Sequence, residues 1–129
     1  MPSAWRLVKT AYVSTAWGGE GAKQFGGRWN SPGAAVAYVA EHLSLACLEV
    51  LVHVDDAPVL DDYSAASADF GDVTVASLGD LPSDWRSDPP PVSTQALGDA
   101  WVRAGATAIL RVPSVIVPVE YNYVINPAH

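Results

Sequence analysis

A short part of this chain carries three side-chain types that could hold a phosphorylated ligand and break a glycosidic bond. Arg28 follows two glycines, Tyr38 lies in the next apolar run, and Glu49 lies in a helical pattern after it. A guanidinium offers a planar fork of donors that matches phosphate oxygens. An aromatic face can stack on a positively charged base. A carboxylate can stabilise the oxocarbenium-like centre that remains when such a base departs.

Each of these residues also has an ordinary structural interpretation. The glycines before Arg28 fit a tight turn with a solvated arginine equally well, because neither a Walker loop nor a dinucleotide fingerprint is present. Tyr38 could be a core aromatic, the commoner fate of such a residue. Trp29 could stack on the base or only anchor the loop. Glu49 could be a solvent-facing helix residue, but its flanking positions are apolar, which favours a function.

Further polar residues could complete such a site. His53 follows Glu49 by one helical turn, so it could orient Glu49, touch a substrate, or lie on the surface. Ser114 lacks the Gly-x-Ser-x-Gly context of a nucleophile, which favours a hydrogen bond to a ribose or an amide. Asn122 and Asn126 alternate with apolar residues and share one face of the last predicted strand.

The hydrophobic pattern predicts an α+β domain spanning residues 1–129, with a mixed, mostly antiparallel sheet. Predicted strands cover 5–8, 34–40, 108–112, 115–119 and 121–125, with two short strands within 59–91, of which 73–78 is the clearer. The glycine-rich segment 18–27 is expected to lie outside any helix or strand.

Two helices are predicted from apolar residues at helical spacing. The first buries a stripe and carries Glu49 and His53 on its shoulder. The second begins at an N-cap, Ser93, and ends at Gly105. The stripe of the first comprises Leu43, Ala46, Cys47, Val50, Leu51 and Val54, and the buried face of the second comprises Leu97, Ala100, Trp101 and Ala104.

Composition excludes several classes of function. A net charge of −7 disfavours direct nucleic-acid binding, although it suits a basic protein partner or simple solubility. Neither a membrane span nor a secretory signal is visible, and the single cysteine, Cys47, fits a buried thiol in a reducing cytoplasm. The histidines lack the spacing of metal ligands, so no metal site is predicted.

Taken in order, the motifs of this chain resemble the RES domain, the toxin component of bacterial toxin–antitoxin pairs. The resemblance covers nearly the whole sequence, and only the ordered set of motifs is specific. The matching segments are Trp5-Arg6-Leu7-Val8, Gly26-Gly27-Arg28-Trp29-Asn30, Ala37-Tyr38-Val39-Ala40-Glu41, the helix from Leu45 to His53, Asp99-Ala100-Trp101, Leu110-Arg111-Val112-Pro113-Ser114 and the end of the chain from Val117 to His129.

The resemblance implies a fold similar to ADP-ribosyltransferases and an enzyme that destroys NAD by hydrolysis or phosphorolysis, or else ADP-ribosylates a protein. NAD would be its substrate, and no other cofactor is expected. The residues that name the family correspond to Arg28, Glu49 and Ser114, and Tyr38 would lie near the nicotinamide. Arg28 and Arg6 would hold the pyrophosphate. The predicted catalytic residues are Arg28, Tyr38, Glu49 and Ser114, and the predicted substrate-binding residues are Arg6, Trp29, Asn30, His53 and Asn122.

The same resemblance implies a protein partner. This would be an Xre-type antitoxin with a helix-turn-helix DNA-binding domain, which covers the active site, and the complex could also contain more than one toxin copy. Family members usually continue with a further strand after the segment that matches Asn126-Pro127-Ala128-His129. A sheet edge and part of the activity are therefore expected to depend on such a strand.

Overall fold

The computed structural model describes residues 3–52 and 60–129 of the chain. The strands are β1 (Ser3–Lys9), β2 (Ala37–Ala40), β3 (Tyr63–Asp69), β4 (Val75–Ser77), β5 (Ile109–Pro113) and β6 (Tyr121–Ile125). The α-helices are α1 (Glu20–Phe25), α2 (Leu43–Leu51) and α3 (Val92–Ala104), and short 3-10 segments cover Thr10–Thr15 and Leu60–Asp62.

The six strands form one sheet in the order β3-β1-β2-β6-β5-β4. Neighbouring strands pair antiparallel except β4 and β5, which are parallel and connected through α3. A helical crossover is the usual way to join parallel neighbours, whereas antiparallel strands need only a short turn. The predicted α+β class, with a mixed and mostly antiparallel sheet, is confirmed.

The two longer helices cover one face of this sheet. On α2, Leu45 and Ala46 are buried against Ala40 of β2. On α3, Leu97 and Trp101 pack on a buried cluster that comprises Trp29, Val36, Leu110, Val112 and Val124. The opposite face is closed by Phe70, whose ring meets Tyr123 edge-on with centroids 5.0 Å apart. Apolar burial on both faces thus holds the central strands in place.

The packed face of α2 differs from the predicted stripe. Leu45 and Ala46 point into the core, whereas Leu43 and Leu51 are 37% and 40% exposed. Every position of this helix except Glu49 and Ser44 is apolar or Cys, so periodicity alone could not identify the buried side. Val54, the last residue of the predicted stripe, lies outside the described residues.

The second helix begins two residues earlier than predicted. Pro91 occupies the N-cap, and Ser93 lies inside the helix, where its hydroxyl donates to Asp84 Oδ1 at 2.5 Å. The C-terminal prediction is confirmed, because Gly105 takes a left-handed conformation with φ +62°. The buried positions are Thr94 and Gly98, and the predicted core residues Ala100 and Ala104 are exposed.

Two predictions of local structure were wrong, one of a loop and one of a strand. The glycine-rich segment contains α1, because Gly19 and Gly26, with φ of +73° and +74°, bound a short run of good helix formers. The predicted strand at 115–119 is a tight loop between β5 and β6. Pro118 has no amide hydrogen for a ladder, and the Ser114 hydroxyl accepts the amides of Ile116 and Val117 instead.

Gly98 allows the closest approach between α3 and the loop that carries Arg28. A Cβ built at this position would lie 1.6 Å from the carbonyl oxygen of Trp29. We expect Gly98→Ala to lower the free energy of unfolding by at least about 2 kcal/mol, because backbone must move to make room. Urea denaturation followed by circular dichroism measures the change.

Gly21→Ala is the matched control, since Gly21 is also helical and a Cβ there meets nothing within 4 Å. This control should be neutral or stabilise the protein by up to about 1 kcal/mol, because Ala is the better helix former. Equal stability of the two variants would contradict the proposed packing constraint.

Candidate active site

A cavity of about 750 Å³ is lined by residues of β1, β2, α1, α2 and the loop of residues 26–33. Its volume falls in the range of pockets that enclose small-molecule ligands. Strand register forms part of its wall. Four lining residues occupy paired positions on the adjacent strands β1, β2, β6 and β5, namely Trp5, Ala40, Asn122 and Val112. The predicted site residues that line the cavity are Arg6, Arg28, Trp29, Tyr38, Glu49 and Asn122.

The loop of residues 26–33 is the tight turn that the glycines indicated. Gly26 has φ +74°, and Gly27 N–H donates to Asn30 O at 2.9 Å. A Cβ at Gly27 would lie 2.8 Å from Tyr38 Oη, so only glycine lets the loop rest against this ring. The tight turn is therefore confirmed, and Arg28 lines the cavity instead of being simply solvated, while phosphate binding by Arg28 stays a prediction.

Side chains from two successive turns of helix α3 hold this loop by hydrogen bonds. Gln95 Nε2 donates to Gly27 O at 3.0 Å, and Asp99 Oδ1 accepts the Ser31 amide at 3.0 Å. Asp99 Oδ2 also accepts the Ser31 hydroxyl. Residues spaced by three and four lie on one helical face, so a single surface of α3 holds the turn. Three hydrogen bonds therefore fasten this loop to α3.

The guanidinium of Arg28 is itself held by backbone. Its Nη1 donates to Trp85 O at 2.9 Å and to Ser87 O at 2.7 Å. Burial lowers the pKa of Arg28, while the charges of Asp88 and Glu49 oppose that shift. Arginine nevertheless stays protonated in proteins, so the group presents a fixed positive charge to the cavity.

Tyr38 contributes its ring rather than its hydroxyl. Tyr38 Oη donates to Asn30 Oδ1 at 2.5 Å and accepts the Trp29 amide at 3.0 Å. Burial raises the pKa of Tyr38 well above its usual value. A phenol with both roles taken and a raised pKa is unsuited to proton transfer, whereas its aromatic surface remains part of the cavity wall.

The carboxylate of Glu49 is oriented by two donors. Ser114 Oγ lies 3.0 Å from Glu49 Oε1, and Asn122 Nδ2 donates to the same oxygen at 2.9 Å. Ser114 Oγ already accepts the amides of Ile116 and Val117, both at 3.1 Å. Its one hydrogen is therefore free only for Glu49, so Glu49 Oε1 accepts two hydrogen bonds, one from Ser114 and one from Asn122.

Arg6 is a second cation in the cavity. Its Nη1 donates to Tyr38 O at 2.8 Å, and its buried Nε has no hydrogen-bond partner in the described part of the chain. Burial lowers the pKa of Arg6. Because Arg6 lines the cavity, its guanidinium is a second candidate group for binding an anionic ligand.

Not every predicted site residue reaches the cavity surface. Asn30 is fully buried, and its Nδ2 donates to Ala22 O and Ala34 O at 2.8 and 3.1 Å, so it braces the loop from behind. Ser114 is also fully buried and contacts Glu49 instead of the cavity. His53 lies outside the described residues. Trp29 lines the cavity but is 2% exposed, so its ring mainly belongs to the core.

Several cavity residues were missed from the sequence. Phe25, Tyr63, Asp88 and Pro90 all lie in the wall. Tyr63 and Asp88 are far from the recognised motifs, and no local spacing indicates their position. A signal existed only for Phe25, an aromatic residue directly before the Gly26-Gly27 pair.

Outside the cavity, ligand atoms of Glu41, His42 and Glu120 lie within 4.8 Å of one another. Glu41 Oε1 is already engaged, because it accepts the Tyr121 amide at 2.9 Å. The expectation that the histidines hold no metal stays a prediction. Within residues 3–52 and 60–129, no helix combines the length and the apolar character that a membrane crossing requires.

The family model described as the RES domain matches residues 3–129. The chain is 39% identical over 127 residues to "Toxin Res" of Yersinia enterocolitica, covering 97% of this chain and 84% of the relative. It is 42% identical over 125 residues to "Toxin Res" of Photorhabdus laumondii, covering 95% and 80%. It is 39% identical over 134 residues to "Prs ADP-ribosylating toxin" of a Sphingobium species, covering 98% and 83%.

The fold is also similar to a solved structure, the M. tuberculosis MbcT–MbcA toxin–antitoxin complex. The TM-score is 0.74 at 24% identity, with 95% of this chain and 72% of that chain covered. This likeness concerns the fold, whereas the sequence matches extend over nearly the whole chain at higher identity. The chain therefore belongs to the RES domain family, and the relatives it resembles within that family are named as toxins.

Proposed function

We propose that this protein is a toxin that cleaves the bond between nicotinamide and ribose in NAD, and that an antitoxin neutralises it. The observation that carries the proposal is the convergence of the Glu49 carboxylate with two guanidinium groups, those of Arg6 and Arg28, on one cavity. Cations suit the pyrophosphate of a dinucleotide, and a single oriented carboxylate suits the ribosyl cation.

The proposed reaction needs little proton transfer. The pyridinium nitrogen of NAD is positively charged, so nicotinamide leaves as a neutral base when the C1′–N bond breaks, and it needs no general acid. Glu49 stabilises the positive charge that develops on the ribose, and Arg28 and Arg6 hold the phosphates. Water then attacks C1′ and gives ADP-ribose and a proton, or phosphate attacks and gives an ADP-ribose phosphate ester.

A second candidate differs only in the attacking group. One relative of 39% identity is named an ADP-ribosylating toxin, which favours transfer of ADP-ribose to a protein acceptor. Both candidates use the same cavity and the same carboxylate. The antitoxin is proposed to be of the Xre type with a helix-turn-helix domain, and the substrate and this partner together suggest a cytoplasmic role.

Nicotinamide release from NAD by the purified protein tests the proposal. The assay is run in phosphate-free buffer, with added phosphate, and with a cell extract as a source of acceptors. Release without any protein acceptor supports hydrolysis or phosphorolysis, and dependence on phosphate identifies the latter. The second candidate would be supported if an extract protein became labelled with ADP-ribose and nicotinamide were released only in the presence of the extract. No turnover in any arm would refute both candidates.

Glu49→Gln should retain the fold but lose turnover by about 10²–10³-fold, because the amide keeps an acceptor for Ser114 and Asn122 but lacks the charge. Nicotinamide release gives the rate, and circular dichroism checks the fold. Glu20→Gln serves as the control, since Glu20 is an exposed residue of α1. A Glu49→Gln variant as active as the parent would show that the carboxylate has only a structural role.

Tyr38→Phe should keep kcat within about threefold, because the ring remains and the hydroxyl is already committed to Trp29 and Asn30. The same change should destabilise the protein by about 1–3 kcal/mol, since the buried Trp29 amide loses its partner. Tyr38→Leu removes the ring and should lower kcat/KM much more strongly. If Phe and Leu reduce kcat equally, the hydroxyl takes part in the chemistry.

A further inference from the structure

Phe25 lines the proposed substrate cavity, yet the reaction proposed above gives it no role. It is 77% exposed, more than any other aromatic residue that the structure describes. By contrast, Trp29 is buried in the core, and the Tyr38 hydroxyl is engaged in hydrogen bonds. An aromatic residue that both lines a cavity and faces solvent lies at the opening of that cavity, where a ligand can reach its ring.

Backbone hydrogen bonds hold the end of α1 that carries Phe25. The Gly26 amide donates to Ala22 O at 2.8 Å, and the Gly33 amide donates to Lys23 O at 2.7 Å. Gly26, with φ +74°, ends the helix directly after Phe25. The Phe25 backbone is thus positioned by the fold, and only its side-chain rotation is left to be ordered when a ligand binds.

The cavity wall beside Phe25 combines apolar surface with a cation. Ala22, one turn earlier on α1, and Gly26 line the cavity next to it. Arg28 follows in the same turn and also lines the cavity. The Cα atoms of residues three apart are separated by at most about 11 Å, so the aromatic ring and the cation are neighbours. An aromatic face beside a phosphate-binding cation suits the base and the phosphates of a nucleotide.

NAD contains two bases, and the proposed reaction accounts for only one of them. The bond that breaks belongs to the nicotinamide ribose, which the proposed reaction places at Glu49. Glu49 is half-buried, whereas Phe25 lies at the opening of the cavity. The reacting half of the substrate is therefore its inner part, and the adenosine, on the far side of the pyrophosphate, is its outer part.

We propose that the ring of Phe25 stacks on the adenine of NAD, which makes Phe25 a substrate-binding residue for the half of the molecule that does not react. This inference rests on the proposed function, since it assumes a dinucleotide whose ribosyl group lies beside Glu49. Arg28 holds the pyrophosphate between the two halves. The stack on Phe25 then adds binding energy remote from the reacting bond, which helps to hold that bond in place.

Two substrates of different length test this role. Nicotinamide mononucleotide contains the reacting bond of NAD but lacks the adenosine. Phe25→Ala should lower kcat/KM for nicotinamide release from NAD at least about fivefold, the effect of losing one base–aromatic stack. The same change should leave kcat/KM for the mononucleotide within about twofold. An equal loss with both substrates would place Phe25 at the nicotinamide half, and an unchanged value for NAD would exclude a contact, so either result would overturn the proposal.

Tyr12→Ala is the matched control, because Tyr12 is an aromatic residue of 63% exposure that is not part of the cavity wall. It should change neither value of kcat/KM. Phe25→Tyr keeps an aromatic ring and should match the wild type with both substrates. Circular dichroism checks the fold of each variant, and Phe25→Leu replaces Phe25→Ala if the latter does not fold.

Two inhibitors separate failure of this inference from failure of the proposed function. ADP carries the adenosine and two phosphates, whereas pyrophosphate carries the phosphates alone. If the wild type cleaves NAD but not the mononucleotide, the inhibition constant of ADP should rise at least about fivefold in Phe25→Ala, and that of pyrophosphate should not change.

If the wild type cleaves neither substrate, the proposed reaction is refuted, and ADP and pyrophosphate are titrated by calorimetry instead. A weaker affinity of Phe25→Ala for ADP, with the affinity for pyrophosphate unchanged, still supports an adenine site at Phe25. An equal affinity of both proteins for ADP, or no binding of ADP to the wild type, would overturn it.

Discussion

The hydrogen-bonded group of Glu49, Ser114 and Asn122 is the interaction on which the interpretation of this site depends. It joins α2 to the end of β5 and to β6 through one carboxylate oxygen. Because the Ser114 hydroxyl is saturated by the backbone of its own loop, the direction of every hydrogen in the group is determined. A carboxylate held in this way needs no reorganisation when positive charge develops beside it, which is the condition for electrostatic catalysis.

The distribution of charge in the molecule is consistent with this interpretation. The chain as a whole is strongly acidic, with 7 basic and 14 acidic residues. Nevertheless, two of its few arginines, Arg6 and Arg28, point into the same cavity and are bonded to backbone carbonyls there. The hydrogen bonds that hold these two guanidinium groups go to neutral carbonyl oxygens, although the charges of Asp88 and Glu49 also act on Arg28.

Six of the predicted site residues line the cavity, whereas the hydrogen bonds that hold them could not be predicted from the sequence. Residue type and order indicated Arg28, Tyr38 and Glu49, because planar cation, aromatic ring and carboxylate are chemically distinctive. The roles of Asn30 and Ser114 depend on contacts between distant segments, and nothing in their local sequence indicates that both are fully buried. The fold shows the same limit, since the apolar run at 115–119 has the composition of a strand, but Pro118 and the Ser114 hydroxyl make it a loop.

The contact between Gly98 and the Trp29 carbonyl restricts movement of the turn that carries Arg28. The turn that carries Arg28 is fastened to α3 on the same face by Gln95 and Asp99. Helix α3 in turn bridges the parallel strands β4 and β5, so swinging the turn outward would strain the sheet edge. The position of Arg28 is therefore a property of the fold, so the proposed substrate would meet a wall that needs no rearrangement.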